Sequence, residues 1–174
     1  MPSIRAEKYG EDAWNDCKRY RRIAGFFVFI LMVCMILWYW IPVPELNYTI
    51  YPDPLVPLLM GTILAIPFAI LLTVALREAG RESFEPTQKT ELFSGIYSYI
   101  RHPQLLGRTI LTLALTMWLN SLFLLIFAGI FLGVLVPTLI HFEEMDLIKR
   151  FGDSYIQYRE RTGSVIPKFR RQTK

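Results

Sequence analysis

Charge is missing from long stretches of this chain. Residues 23–41, 55–76 and 122–140 contain no Asp, Glu, Lys, Arg or His. Each run approaches the ~20 residues that cross a bilayer core, so the pattern is that of an integral membrane protein. Only two cysteines and two histidines occur in 174 residues, too few for a disulfide framework or a Cys/His metal cluster. Cys17 falls in a polar segment and Cys34 within an apolar run; neither reads as a disulfide partner, a metal ligand or a nucleophile. No internal repeat and no low-complexity segment is present.

Lysine and arginine are also absent from residues 42–54, and their distribution elsewhere sets the orientation. Arg5, Lys8, Lys18, Arg19, Arg21 and Arg22 precede the first apolar run. Arg77, Arg81, Lys89 and Arg101 follow the second, and the remaining basic residues beyond His141 close the chain. The positive-inside rule therefore predicts that both termini and the middle loop are cytoplasmic. Four crossings satisfy that arrangement. The additional one, residues 104–119, holds only Arg108 and would be about 24 Å long, short for a full traverse. Arg108, one turn from its start, is placed to snorkel or to face a polar pocket.

The formal net charge of +4 follows from topology and from attraction to anionic headgroups, about 1 kcal/mol per basic residue near the surface. It implies no nucleic-acid partner. The first run begins after residue 22 and is long for a signal-peptide core, so it is expected to remain as a helix. The sequon Asn47-Tyr48-Thr49 lies in a proline-rich, membrane-close connection that disfavours glycosylation. The length suits one domain, and the compact size favours a prokaryotic plasma membrane over an endoplasmic reticulum.

Residues 1–22 read as a basic interfacial segment, with Trp14 and Tyr20 suited to the headgroup level. Pro67 predicts a kink in the second span. Asn120-Ser121 alone separates the last two spans, which must form an antiparallel hairpin. That turn brings Arg101-His102-Pro103 close to His141–Glu144. Beyond Glu143, the apolar positions Leu147, Ile148, Phe151, Tyr155 and Tyr158 recur at helical spacing. Gly152-Asp153 is a stop and a new start, so the C-terminal part reads as an amphipathic cap over the hairpin mouth.

Two clusters at that mouth carry the chemistry. Pro103 suits a first helical turn, and a helix start beside Arg101 and His102 is a place for an anion; a membrane-interface cap with a snorkelling arginine fits the tripeptide equally well. Glu143-Glu144 is expected at the exit of the last span, where the macrodipole disfavours acid by ~0.3–1 kcal/mol. A salt bridge across the hairpin would offset that, as would a cationic ligand. An anion site facing a cation site across one crevice suits a zwitterion.

The run Leu92-Phe93-Ser94-Gly95-Ile96-Tyr97-Ser98-Tyr99-Ile100-Arg101-His102-Pro103 resembles the hallmark of the isoprenylcysteine carboxyl methyltransferase and phospholipid N-methyltransferase superfamily. So does Glu143-Glu144 followed by Leu147-Ile148, Phe151-Gly152-Asp153, Tyr155, Tyr158, Thr162-Gly163 and Ile166-Pro167. The resemblance covers residues 77–168 and rests on two separated motifs in the right order around a hairpin.

The resemblance implies S-adenosylmethionine as cofactor, leaving S-adenosylhomocysteine, bound at the cytoplasmic mouth under a C-terminal cap. It assigns Lys89, Thr90, Glu91 and Leu92 to adenosine, with Tyr97 lining the pocket. His102, Pro103, Gln104 and Leu105 would hold the nucleotide and methionine end, and Glu143 the α-amino group. Glu144, His141 and Arg108 are the candidates for catalysis; no metal is implied. The chain departs from the pattern at Leu105, where an aromatic residue is usual. It departs again at Leu139, where the isoprenylcysteine enzymes carry an arginine toward the substrate carboxylate.

The expected fold is thus all-α integral membrane, with about four transmembrane helices, both termini cytoplasmic and a helical cap over a cofactor pocket. Its parts are the segment 1–22, helices within 23–76, a catalytic core 77–168 containing the helical hairpin 104–142, and a basic tail 169–174. Partners are the bilayer and a lipophilic or small methyl acceptor. A phospholipid amine or small thiol is an alternative to a prenylcysteine carboxylate. A non-catalytic four-helix membrane protein is the alternative to an enzyme, although a transporter would carry ionisable groups near the midplane.

Overall fold

The computed structural model describes residues 12–80 and 94–168, and among these the chain is helical, with two isolated bridges and no extended strand. Helix α1 spans Asp12–Leu37, α2 Leu55–Ala79, α3 Pro103–Trp118, α4 Leu122–Phe151 and α5 Asp153–Arg161. Short 3-10 turns lie at Pro44–Leu46 and Gly95–Ser98.

Among the described residues, three helices are long and apolar enough to cross a membrane: Lys18–Leu37, Leu55–Ala79 and Leu122–Phe151. The sequence led to an expectation of about four. The difference is α3, whose 16 residues reach about 24 Å against a hydrocarbon core of ~30 Å. The long helices expose Phe26, Phe29, Ile63, Ile70, Ile130 and Val134, apolar surface that suits lipid and not water. The protein is a helical membrane protein.

The main packing is α3 against α2. Lipid tails are as apolar as the side chains, so close helix contact depends on small residues that let backbones approach. Gly61 of α2 lies against Ala114 and Trp118 of α3, and Gly107 of α3 against Leu72 and Phe68 of α2; Gly61, Gly107 and Ala114 are buried. A Cβ at Gly107 would lie 2.9 Å from Leu72 Cβ and 3.2 Å from the Phe68 carbonyl oxygen. Helix α2 runs unbroken through Pro67, as α4 does through Pro137.

The expected hairpin is present between α3 and α4. Asn120 takes φ +47°, and the Ser121 hydroxyl accepts from the Leu124 N–H at 3.3 Å, capping α4. The Asn120 amide also grips the outer connection. Its oxygen accepts from the N–H groups of Ile50 at 3.0 Å and Tyr51 at 3.1 Å, and its nitrogen donates to the Tyr51 carbonyl at 3.0 Å. At the same end Trp38 stacks on Phe123 with ring centroids 5.2 Å apart. The opposite end of the hairpin is left to bring the start of α3 beside α4.

Helix α4 does not stop where the apolar run stops. It continues through Phe151 to Gly152, whose φ of +57° ends it and starts α5. Glu143 and Glu144 therefore lie inside the helix, two turns before its end, and not at its exit. The macrodipole acts within the last turn, so the expected penalty on these carboxylates does not apply.

Candidate functional site

Helix α3 begins with Pro103 at its first position and His102 as N-cap, and the His102 side chain makes no capping bond. Proline lacks the N–H that would be orphaned there, and the imidazole is left to face α4. It does so between two carboxylates. His102 Nδ1 lies 3.1 Å from Glu143 Oε2, and Nε2 lies 3.4 Å from Glu144 Oε1. The adjacent Arg101 donates to the same Glu144 Oε1 through Nε at 3.0 Å and Nη2 at 2.7 Å. The salt bridge across the hairpin is thus formed, and it is largely buried. Side-chain exposure is 9% for Arg101, 3% for His102 and 14% for Glu144, but 54% for Glu143. Of the acidic pair, Glu143 is the one presented outward.

The C-terminal segment closes over this cluster. Arg101 Nη1 donates to the Arg159 carbonyl at 2.9 Å and, closely, to that of Thr162. The Arg101 N–H donates to the Gly163 carbonyl at 2.8 Å and the His102 N–H to that of Ser164 at 3.0 Å. The first of these belongs to a parallel bridge between Ile100 and Gly163. A Cβ at Gly163 would overlap the Ile166 carbonyl oxygen, so only glycine lets the strap turn there. The Tyr158 hydroxyl donates to the Tyr97 carbonyl at 2.5 Å.

Tyr97 links the cluster to α2. Its hydroxyl accepts from Gln104 Nε2 at 2.7 Å and donates to the Ala75 carbonyl at 3.2 Å. Gly95, at φ +60°, brings the chain against Glu78, whose carboxylate accepts from the Ile96 N–H at 2.6 Å. Burial raises the phenol pKa of Tyr97 and pushes those of Tyr155 and Tyr158 well above the ordinary phenol range. All three hydroxyls stay neutral at physiological pH.

Of the residues expected at the site, the structure brings together Tyr97, His102, Pro103, Gln104, Glu143 and Glu144, with Leu105 half-buried one position along α3. Arg108 is exposed on the face of Gln104, its Nη2 donating to Gln104 Oε1 at 3.4 Å. His141 is exposed, and its ring lies near Phe142 at 5.7 Å. At 3.6 residues per turn it stands about 200° around α4 from Glu143 and about 60° from Glu144, one turn earlier on that side of the helix. Lys89, Thr90, Glu91 and Leu92 lie outside the described residues. Sequence reasoning left Arg101 open to a ligand anion or to a salt bridge across the hairpin, and its guanidinium is engaged by Glu144 and the strap. It overlooked Glu78 and Arg159, whose roles depend on a loop and a strap with no periodic signal.

A buried imidazole between carboxylates, an outward carboxylate and a closing strap are the geometry against which the relatives stand. The family model described as NnrU protein matches residues 6–170. Protein-S-isoprenylcysteine O-methyltransferase of Schizosaccharomyces pombe is 38% identical over 73 residues, which is 42% of this chain and 31% of that protein. Methanethiol S-methyltransferase 1 of Bradyrhizobium diazoefficiens is 29% identical over 156 residues, 79% of this chain and 51% of that protein. The chain therefore spans about half, or less, of the curated relatives it matches. With a family model covering nearly its whole length and the isoprenylcysteine-methyltransferase-like motifs in place, the chain belongs to the NnrU protein family.

Proposed function

We propose that this protein is an integral membrane methyltransferase that takes S-adenosylmethionine from the cytoplasm and methylates a lipophilic or small acceptor arriving from the bilayer. The observation that carries this reading is the half-exposed Glu143 carboxylate held against His102 at the start of α3, 3.1 Å from its imidazole. The residues present fit the cofactor's charges. An outward carboxylate suits an ammonium, and a helix start suits a carboxylate. Glu143 takes the α-amino group, His102 fixes the orientation of Glu143, and Tyr97 with Gln104 shapes the wall beside them. When bound, the cofactor supplies a methyl already activated on a sulfonium. The protein's task is then to hold the acceptor in line at roughly 3–3.5 Å and to exclude water.

In this reading α3 completes a fourth traverse with the irregular segments at its ends, both termini are cytoplasmic, and residues 153–168 form the cap. Arg108 stands on the Gln104 face, one turn further along α3, available to an anionic group of the acceptor. Leu139 is aliphatic and exposed, so no guanidinium at that position of α4 meets a carboxylate. A phospholipid amine or a small thiol suits this surface better than a prenylcysteine carboxylate. The name of the second relative, which matches 79% of this chain, supports the thiol.

Titration calorimetry of the protein in lipid nanodiscs with S-adenosylhomocysteine tests the site. Glu143→Ala and His102→Ala are each expected to abolish binding while the protein remains membrane-inserted. Wild-type affinity in both variants refutes the assignment. Radiolabelled methyl transfer into a total extract, partitioned into lipid, protein and volatile fractions, then identifies the acceptor class.

A further inference from the structure

We infer that Arg101 is a positioning residue, a latch that holds the acidic pair of α4 and the C-terminal strap in one geometry around His102; the inference rests on the cofactor-site reading above. A guanidinium has five N–H donors in a rigid fork. Four of them are engaged here, two on Glu144 Oε1 at 3.0 and 2.7 Å, one on the Arg159 carbonyl at 2.9 Å and one on the Thr162 carbonyl. With the side chain 9% exposed, this fork is turned toward the protein and away from any ligand.

The consequence runs along a chain of contacts. The strap holds Arg101, whose guanidinium holds Glu144. Glu144 Oε1 stands 3.4 Å from His102 Nε2, and the opposite ring nitrogen stands 3.1 Å from Glu143. The backbone repeats the link, since the N–H groups of Arg101 and His102 both donate to strap carbonyls, at 2.8 and 3.0 Å. Displacing the strap therefore shifts the carboxylate that faces outward, although no strap side chain in this chain of contacts touches Glu143. Lysine keeps the charge of Arg101 but offers three donors on one nitrogen, so it cannot reproduce the fork that bonds Glu144 through two nitrogens and both carbonyls through a third. Gly163 offers an independent handle. Any Cβ there collides with the Ile166 carbonyl and moves the strap without altering a charge.

The test compares Arg101→Lys and Gly163→Ala with the wild type in nanodiscs, reading amide hydrogen exchange in residues 98–102 and 158–164 and the affinity for S-adenosylhomocysteine. Both variants are expected to exchange at least tenfold faster in both stretches and to bind at least tenfold more weakly, with helix content unchanged by circular dichroism. Weaker binding of Arg101→Lys with wild-type exchange makes Arg101 a ligand contact and overturns the inference. So does faster exchange with intact affinity, or a Gly163→Ala variant that leaves both measurements unmoved. If the wild type itself binds no S-adenosylhomocysteine, the cofactor-site reading fails and the positioning role fails with it. The exchange data then decide separately whether Arg101 fastens the strap.

Discussion

Replacing Glu144 with alanine takes one partner from an ion pair that is almost wholly out of water, with 9% and 14% of the two side chains exposed. Losing one member of a buried pair costs about 3–5 kcal/mol, because the other charge is left uncompensated. Here Arg101 keeps the Arg159 and Thr162 carbonyls as acceptors, so the lower end applies, about 3 kcal/mol. The loss falls on local opening of the cap rather than on the membrane helices, whose seam lies between α2 and α3. At a tenfold change per 1.4 kcal/mol, amides donated into the strap should exchange about 150-fold faster. Glu143→Ala is the internal control. Its side chain is 54% exposed and its bond to His102 is 3.1 Å long. An exposed pair is worth under ~1 kcal/mol, or about fivefold in exchange. Mass spectrometry of peptides covering 98–104 and 158–166, in micelles at neutral pH, measures both. Equal acceleration in the two variants, or none in Glu144→Ala, shows that the strap is not held through this pair.

Alkaline stability follows from the tyrosines. Burial raises the pKa of Tyr97, Tyr155 and Tyr158, so the native state keeps protons that the unfolded chain releases. Their contribution is fully present below the unfolded phenol value of ~10 and is lost as pH rises beyond it. Absorbance at 295 nm should show these phenols ionising only as the helical cap is lost, and Tyr158→Phe should lessen the alkaline loss; ionisation of every tyrosine with ellipticity unchanged contradicts this. Gly107→Val should overpack the α2–α3 seam and cost about 1–3 kcal/mol, seen as a lower thermal midpoint by tryptophan fluorescence in micelles. Leu72→Gly should recover part of that loss, because it removes the Cβ that lies 2.9 Å from where the new Cβ is placed. No recovery places the strain elsewhere.

Much of the scaffold is written locally. Charge-free runs specify the long helices because an uninterrupted apolar segment has no stable place in water. Pro103 starts α3, Asn120-Ser121 turns it back, and Gly152 ends α4 at φ +57°. Each signal depends on a residue's own backbone preferences or on a few neighbours. The pairing of Arg101 and His102 with Glu143 and Glu144 was legible for the same reason, since a two-residue reversal leaves little freedom at the other end of the hairpin. The number of crossings was less legible, because α3 sits at the length where a helix is too short to span by itself.

Local residue patterns were enough to set the membrane class, the hairpin and the meeting of two charged clusters. How those charges are used follows from long-range packing. Helical spacing marked the segment beyond Glu143 but not that it continues α4 without a break to Phe151, which removes the macrodipole penalty on the acidic pair. Nor did it show that Arg101 faces the strap, that Tyr158 reaches the Tyr97 carbonyl, or that Glu78 receives the Ile96 N–H. These contacts join residues far apart along the chain, and their geometry is fixed only once α2, α3 and the strap have packed together.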